Sequence, residues 1–507
     1  MASGLAGLAA EMGSVLVRSS YSANIKERRD CSAALFDTSG RMIAQAAHIP
    51  VHLGALPEAV AAVMARDPEP GDVFTVNDPY SGGSHLPDIT MVSPLAPWGD
   101  ILGYGVTRAH HNDVGGMQPG SMPSTSQEIY QEGLIIPPVR VMRAGQPVGD
   151  VIQLILANVR TPAVRRGDLR AQLAANRLAE ERLARLIEQR GMELVLAAFD
   201  DLVAYTERQT REAISRLPDG IYRAEGLMEG DGTVTDDIII RVAVTIAGDE
   251  VEIDFTGTAG AVRGNINCPL AVTRSASLFA MHVLLARDMP ITNSGTYAPV
   301  KVVAPEGSLV NARRPSAVVA ANVETSQRIA DTVLMAVSGL GDVPAQGQGT
   351  MNVLVLGGAD WSYIETIGGG QGAHRNGPGA SGVHVGMTNT LNTPIEALEL
   401  EYPLRVRRYE LAYGSGGAGQ HRGGDGIVRA VEVLEAASLS LLTERRRHAP
   451  QGLAGGEPGS LGRSLLDDEP LDAKVSREMA PGEVVTVCTP GGGGWGSAPE
   501  EAGPGGG

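Results

Sequence analysis

The sequence predicts a multidomain α+β chain, with an N-terminal mixed α/β region, a central helical segment and a β-rich C-terminal part. Three observations carry this. Apolar residues recur every three or four positions near the start and again from about Asp168 to Leu217, which is the helical period. Between Ile238 and Phe255 the period changes to two, that of paired strands. In the last third, short apolar runs are punctuated by the glycine clusters Gly368-Gly369-Gly370, Gly414-Ser415-Gly416-Gly417 and Gly491 to Gly494. At 507 residues the chain exceeds one ordinary core. The changes of pattern divide it into 1–160, 161–217, 218–345 and 346–507.

Along the chain, Leu5, Leu8, Met12, Val15 and Leu16 share one helical face. Ala33 to Phe36, the turn Asp37-Thr38-Ser39-Gly40 and Arg41 to Ala44 predict a hairpin. A short helix follows over 55–66, with Pro57 in its first turn. Val73–Val76 and Ile101–Val106 predict strands, so Asn77–Asp88 and His110–Gly116 fall on loops at strand ends. Functional groups favour that placement, because a rigid sheet holds what the loop shapes. Leu169, Leu173, Leu183, Leu186 and Ile187 carry the central helical pattern. Gly191 divides that pattern in two, and its many charges predict a solvated face. Ile238 to Ile246, the turn Gly248-Asp249 and Val251 to Phe255 predict a second hairpin. Helices are expected near 272–287 and 322–339, strands at Val431–Val433 and Val484–Val487, and a frayed tail after Trp495.

Composition excludes several functions. A formal charge of −17 argues against nucleic acid, since phosphate binding needs a basic surface. The lysines Lys26, Lys301 and Lys474 are followed by Glu27, Val302 and Val475, so no phosphate-cradling G-x-x-x-x-G-K-[ST] loop exists. Cys31, Cys268 and Cys488 are scattered and odd in number, which fits a reducing compartment and no cysteine-rich zinc site. Neither a basic leader nor a membrane span is visible, and the expected compartment is the cytoplasm.

Five of the ten histidines fall between residues 25 and 133, amid carboxylates and glycines. Asp30, His85, Asp88 and His110 are the candidate metal ligands. Pro87 disfavours helix at Leu86, so His85 and Asp88 must converge through a loop bent at Gly82 and Gly83. Two imidazoles and two carboxylates suit zinc, manganese or iron(II) better than calcium. Asp78 and Asp113 are expected to orient the ligand histidines. The competing explanation is turn chemistry, for which Asp78-Pro79 and Pro87-Asp88 are ordinary material. Structural roles are favoured for His48 and His52, and a core position for His282. If 128–132 is helical, Glu128 and Glu132 share a face and would supply an acid or base; a solvated pair is the equal alternative. The run Thr489–Gly496 could approach an anion through backbone N–H groups, but no helix follows it, so anion binding is not the expectation.

These landmarks resemble the B-type chain of the hydantoinase/oxoprolinase family. They are Ser22–Ser32, Asn77–Asp88, His110–Gly116, Glu128–Gly133, Asp254–Thr258 and Thr489–Gly496, in order over nearly the whole chain. The resemblance implies a divalent metal at Asp30, His85, Asp88 and His110. It also implies an A-type partner with an actin-like ATP site in a hetero-oligomer. ATP there activates a poorly electrophilic amide or bicarbonate oxygen. The chain is shorter than carboxylase-type subunits, which favours opening of a cyclic amide (hydantoin, oxoproline or lactam) over ketone carboxylation or a scaffold role. Asp113 or Glu132 would then move protons.

Overall fold

The computed structural model describes residues 1–47, 49–52, 54–285 and 292–498. His48 and the end of the tail lie outside them. The fold is α+β, with helices and, among the described residues, four sheets.

The first sheet has the order β2-β1-β5-β4-β3-β6-β7, from β1 (Cys31–Phe36), β2 (Met42–Ala47), β3 (Val73–Val76), β4 (Asp88–Leu95), β5 (Gly103–His110), β6 (Val139–Arg143) and β7 (Gln146–Pro147). The expected hairpin is β1–β2, and both predicted strands form as β3 and β5. β4 escapes the periodicity because it is buried along its whole length, on both faces, and so shows no alternation.

The helix Ala2–Ser19 buries Leu5, Leu8, Met12 and Leu16 against this sheet and against Ala171, Ala175, Ala179 and Leu183 of the helix Pro162–Arg190. Each such leucine contributes about 1.5–3 kcal/mol on burial, and the alanines four apart let the helices approach closely. Gly191, at φ +88°, separates Pro162–Arg190 from Met192–Ile214, as expected. The solvated-face expectation needs correction at one end. Arg165 and Asp168 are both buried and paired at 3.0 Å, and Asp168 Oδ1 also accepts the backbone N–H groups of Tyr21 (2.8 Å) and Ser22 (3.1 Å). That pair ties the helix to Tyr21 and Ser22, just ahead of the short helix Ala23–Lys26 that leads toward Asp30.

The second sheet, β11-β10-β9-β8, comprises β8 (Gly220–Met228), β9 (Ile238–Ala247), β10 (Glu250–Asp254) and β11 (Val300–Val303). The alternating Ile238, Ile240, Val242, Val244 and Ile246 pack beneath the helices Leu270–Leu285 and Ser326–Ala336 in the largest apolar cluster. A π-helical turn, Ala321–Thr325, precedes the latter helix.

The C-terminal part holds two more sheets. One is β13-β12-β16-β19 and the other β14-β15-β20-β17-β18. Their strands are β12 (Val353–Gly357), β13 (Ser362–Glu365), β14 (Leu404–Ala412), β15 (Gly426–Val433), β16 (Ala437–Leu442), β17 (Arg463–Leu466), β18 (Glu469–Leu471), β19 (Lys474–Met479) and β20 (Val484–Cys488). Leu354, Leu356, Leu439, Leu441, Val431 and Val485 interdigitate between the sheets.

The glycine clusters stack backbone on backbone beside these sheets. The N–H groups of Gly491, Gly492, Gly493 and Gly494 donate to the carbonyls of Ser460, Gly424, Gln346 and Glu457. Those donors are consumed by the fold, so the run is not an anion cradle. A Cβ on Gly492 would stand 2.0 Å from the Gln371 carbonyl oxygen.

Candidate metal centre

The site grows from the ends of adjacent strands. Asp88 opens β4 and His110 closes β5, and the two are cross-strand partners. Asp30 immediately precedes β1, on the other side of β5, and its carbonyl accepts the His110 N–H at 3.1 Å. Arg29, at φ +57°, makes the turn that delivers it.

His85 comes from the loop before β4. Gly82 has φ +95° there, and a Cβ would meet the Ala59 backbone at 2.6 Å, so only glycine fits. Asn77 fixes the loop by donating to Leu86 O (2.8 Å) and accepting from Ile136 N (2.7 Å). The buried Arg108 holds it from below, through Gly82 O at 3.2 Å and Thr90 Oγ1 at 2.7 Å.

Three donor atoms converge. His85 Nε2 lies 3.1 Å from Asp88 Oδ1 and 3.2 Å from His110 Nδ1, and His110 Nδ1 lies 3.3 Å from Asp88 Oδ1. Bonds of about 2.0–2.2 Å to one cation separate neighbouring ligand atoms by about 2.8–3.1 Å in octahedral and about 3.3–3.6 Å in tetrahedral geometry, and the sides of this near-equilateral triangle fall within that span. All three residues are buried, and Asp88 Oδ1 has no hydrogen-bond donor. A carboxylate oxygen left that way is costly unless a cation faces it. Asp30 Oδ2 stands 4.0 Å from His110 Nδ1, at the long end of what one ion spans, and Asn24 Nδ2 lies 3.4 Å from it.

Burial raises the Asp88 carboxyl, but His85, His52 and His110 overcome it and hold the group well below the ordinary carboxylate range. Burial would lower His110, yet Asp88 and Asp30 carry it above its usual value. The cluster is thus electrostatically self-consistent, with anionic oxygen facing imidazole.

Other expected residues take different places. His52 belongs to the cluster: its Nε2 is 3.5 Å from Asp88 Oδ2 and its Nδ1 is 2.9 Å from Ser32 Oγ. His111 turns away to Gln172 Oε1 at 3.0 Å, and burial lowers it to about 4.

Neither Asp78 nor Asp113 orients a histidine. Asp78 caps its own turn and pairs with Arg314. Asp113 accepts from Gly115 N, Gly120 N, Arg160 N and Arg160 Nη1 at 2.9–3.1 Å. Glu132 accepts from Ser126 Oγ, Val318 N and Val319 N. With their lone pairs engaged and neither lining the cavity at the histidines, Asp113 and Glu132 are not placed to carry protons there. Glu128 is exposed, so it shares no environment with the buried Glu132.

The cavity at the histidines is lined by Asn24, Arg28, Asp30, His52, His85 and His110, and across from them by Asn322, Thr366, Thr388 and Thr390. Its free volume, about 20 Å³, suits an ion or a water. A ring substrate requires side chains to move, and Met122 and Met351 in the wall are the pliable ones. Asn322, from the π-helical turn, brings its amide within 3.3 Å of His85 Nε2. No sequence pattern marks Asn322, and Arg28 lies within the Ser22–Ser32 landmark with nothing in its spacing to set it apart.

Fold and site together define an α+β chain with a buried candidate metal centre of two histidines and a carboxylate. Comparison with known proteins extends this. The chain belongs to the hydantoinase B/oxoprolinase family, whose model matches residues 1–498. It is 39% identical to 5-oxoprolinase 1 of Arabidopsis thaliana over 97% of its own length, and spans 41% of that protein. It is 33% identical to the B-type chain of a putative D-/L-hydantoinase from a Pseudomonas species, covering 97% of this chain and 88% of that one. The ATP-dependent caprolactamase of Pseudomonas jessenii superposes with a TM-score of 0.88 at 30% identity, over 98% of this chain and 91% of that chain. Among the described residues, no helix is long and apolar enough to cross a membrane.

Proposed function

We propose that the chain is the metal-bearing subunit of an ATP-dependent hydrolase that opens a cyclic amide together with an A-type, ATP-binding partner. The observation that supports it best is the 3.1–3.3 Å triangle of Asp88 and His110, on adjoining strand ends, with His85 from the loop before β4. His85, Asp88 and His110 would hold the cation, with Asp30 as the further carboxylate. A divalent ion there supplies Lewis acidity toward an amide oxygen or a water. His52 and Ser84 hold the Asp88 carboxylate through Oδ2, leaving Oδ1 turned to the imidazoles.

An unstrained amide is a poor electrophile, which is why a phosphoryl donor is needed. The relatives named for oxoproline, hydantoin and caprolactam support that chemistry here.

The test is co-expression with the A-type partner, followed by ATP consumption and ring opening across hydantoin, oxoproline and lactam substrates, with labelled bicarbonate present. The expected result is ATP-coupled ring opening that is lost in His85→Ala. Label carried into an organic product would make the reaction a carboxylation. Full activity in both His85→Ala and Asp88→Ala would reduce the chain to a scaffold.

A further inference from the structure

Asn322 is 5% exposed and lines the same cavity as His85, His110 and Asp30. It comes from a different part of the chain, the π-helical turn Ala321–Thr325 that leads into the helix Ser326–Ala336. That turn is fixed from several sides. Ahead of it, Glu132 Oε1 accepts the N–H groups of Val318 (2.9 Å) and Val319 (3.0 Å), and Asn265 O accepts that of Ala320 (3.1 Å). At its far end Thr325 Oγ1 donates to Ile266 O at 2.6 Å, and Ser326 Oγ donates to Asn322 O at 2.8 Å. Glu132 thus acts on the site through the backbone that presents Asn322.

The carboxamide itself is poorly satisfied. Its Oδ1 has no hydrogen-bond partner, and its Nδ2 approaches His85 Nε2 at 3.3 Å. Asn176 and Asn265 also leave Oδ1 unpartnered, but each donates through Nδ2 to a carbonyl oxygen, Met91 O at 3.2 Å and Pro123 O at 2.6 Å. Among the described residues, the amide nitrogen of Asn322 meets only the imidazole.

His85 Nε2 has a single lone pair. With a cation in the triangle of His85, Asp88 and His110 that pair is taken, and no N–H can donate to the same atom. An amide N–H would there face positive charge. Rotation about the Cβ–Cγ bond exchanges nitrogen and oxygen, atoms of nearly equal size, and presents Oδ1 instead. The 3.3 Å between the Asn322 amide and His85 Nε2 equals the 3.3 Å between His110 Nδ1 and Asp88 Oδ1, so the exchanged oxygen stands at ligand spacing.

We infer that the Asn322 carboxamide is a fifth donor to the cation, through Oδ1, beyond Asp30, His85, Asp88 and His110. This deepens the proposed metal centre and rests on it. Five donors exceed the four of a closed tetrahedral zinc site, and an added carbonyl oxygen suits manganese. Asn322 then ties the π-helical turn to the strand ends of the first sheet through the ion.

The test is a crystal structure of the full-length chain loaded with manganese, the ion located by its anomalous scattering. Chelator competition for manganese and zinc accompanies it, on the wild type, Asn322→Ala and Asn322→Asp. Asn322 Oδ1 is expected within about 2.0–2.4 Å of the ion. Asn322→Ala should weaken manganese binding at least about tenfold. Zinc, which is content with four donors, should lose about threefold or less. Asn322→Asp keeps an oxygen at that place and should recover manganese binding.

An ion held by the histidines with Asn322 Oδ1 more than about 3 Å away overturns the inference and leaves the proposed function standing. That observation needs no variant to fold. Equal losses for manganese and zinc in Asn322→Ala, or no recovery in Asn322→Asp, give Asn322 a structural role and overturn the inference as well. A wild-type chain that takes up neither metal defeats the proposed metal centre along with it.

Discussion

His52 braces Asp88: its Nε2 lies 3.5 Å from Asp88 Oδ2, while its Nδ1 meets Ser32 Oγ on β1 at 2.9 Å. The contact joins a 3₁₀ turn, Pro50–His52, to the first residue of β4. Removing such an outer partner typically costs about 10–100-fold in metal affinity. His52→Ala is therefore expected to weaken zinc or manganese binding by about that factor while keeping a site. His111→Ala, beside a ligand in sequence but hydrogen-bonded to Gln172, should leave affinity unchanged. Competition against a chromophoric chelator reads both. Equal effects of the two substitutions would remove His52 from the site.

Glu132 should be visible in the pH dependence of stability. Burial raises its carboxyl to about 8, against hydrogen bonds from the backbones of Val319 and Val318. In the unfolded chain it ionises near pH 4.3. Between these values the unfolded chain binds fewer protons than the folded one, so stability falls as pH rises. The contribution is complete below about pH 4 and lost as pH passes the folded value. Thermal unfolding of Glu132→Gln between pH 5 and pH 9 is expected to decline less than wild type toward alkaline pH. Parallel curves would contradict the assignment.

Asp113 is predicted to be structural. Its oxygens accept three backbone N–H groups and the Arg160 guanidinium. Asp113→Ala leaves those donors unsatisfied and should cost about 3 kcal/mol or more, measured by urea unfolding. Loss of activity with stability and metal content both intact would return Asp113 to the chemistry.

The glycine stack predicts opposite outcomes for one substitution at two places. Gly7 is exposed within the helix Ala2–Ser19, with nothing near its missing Cβ, so Gly7→Ala should stabilise by up to about 1 kcal/mol. Gly492→Ala would drive a methyl into the Gln371 carbonyl at 2.0 Å. It should destabilise by about 3 kcal/mol or more, or prevent folding. Urea midpoints of the two variants decide it.

Much of the site is legible in the sequence because its donors sit where strands end, and strand ends are marked by the switch from apolar runs to glycine, proline and aspartate. His85, Asp88 and His110 follow that rule, and Asp30 lies one residue before β1. What escapes are partners set by tertiary packing. Asn322 enters through a π-helical turn, and Arg28 is defined by threonines more than three hundred residues away. Asp113 and Glu132 look reactive as sequence, but nearby backbone donors occupy them. β4 is hidden for a related reason: burial on both faces removes the alternation that reveals a strand.

Metal analysis of the full-length chain is the most direct measurement of the central claim. The protein would be loaded with zinc, manganese or iron(II), passed over a desalting column and assayed by mass spectrometry beside His85→Ala, Asp88→Ala and His110→Ala. Roughly one ion per wild-type chain is expected, falling to about a tenth or less in each variant with thermal unfolding little changed. A wild-type chain that retains no ion, or variants that retain as much as wild type, would contradict it.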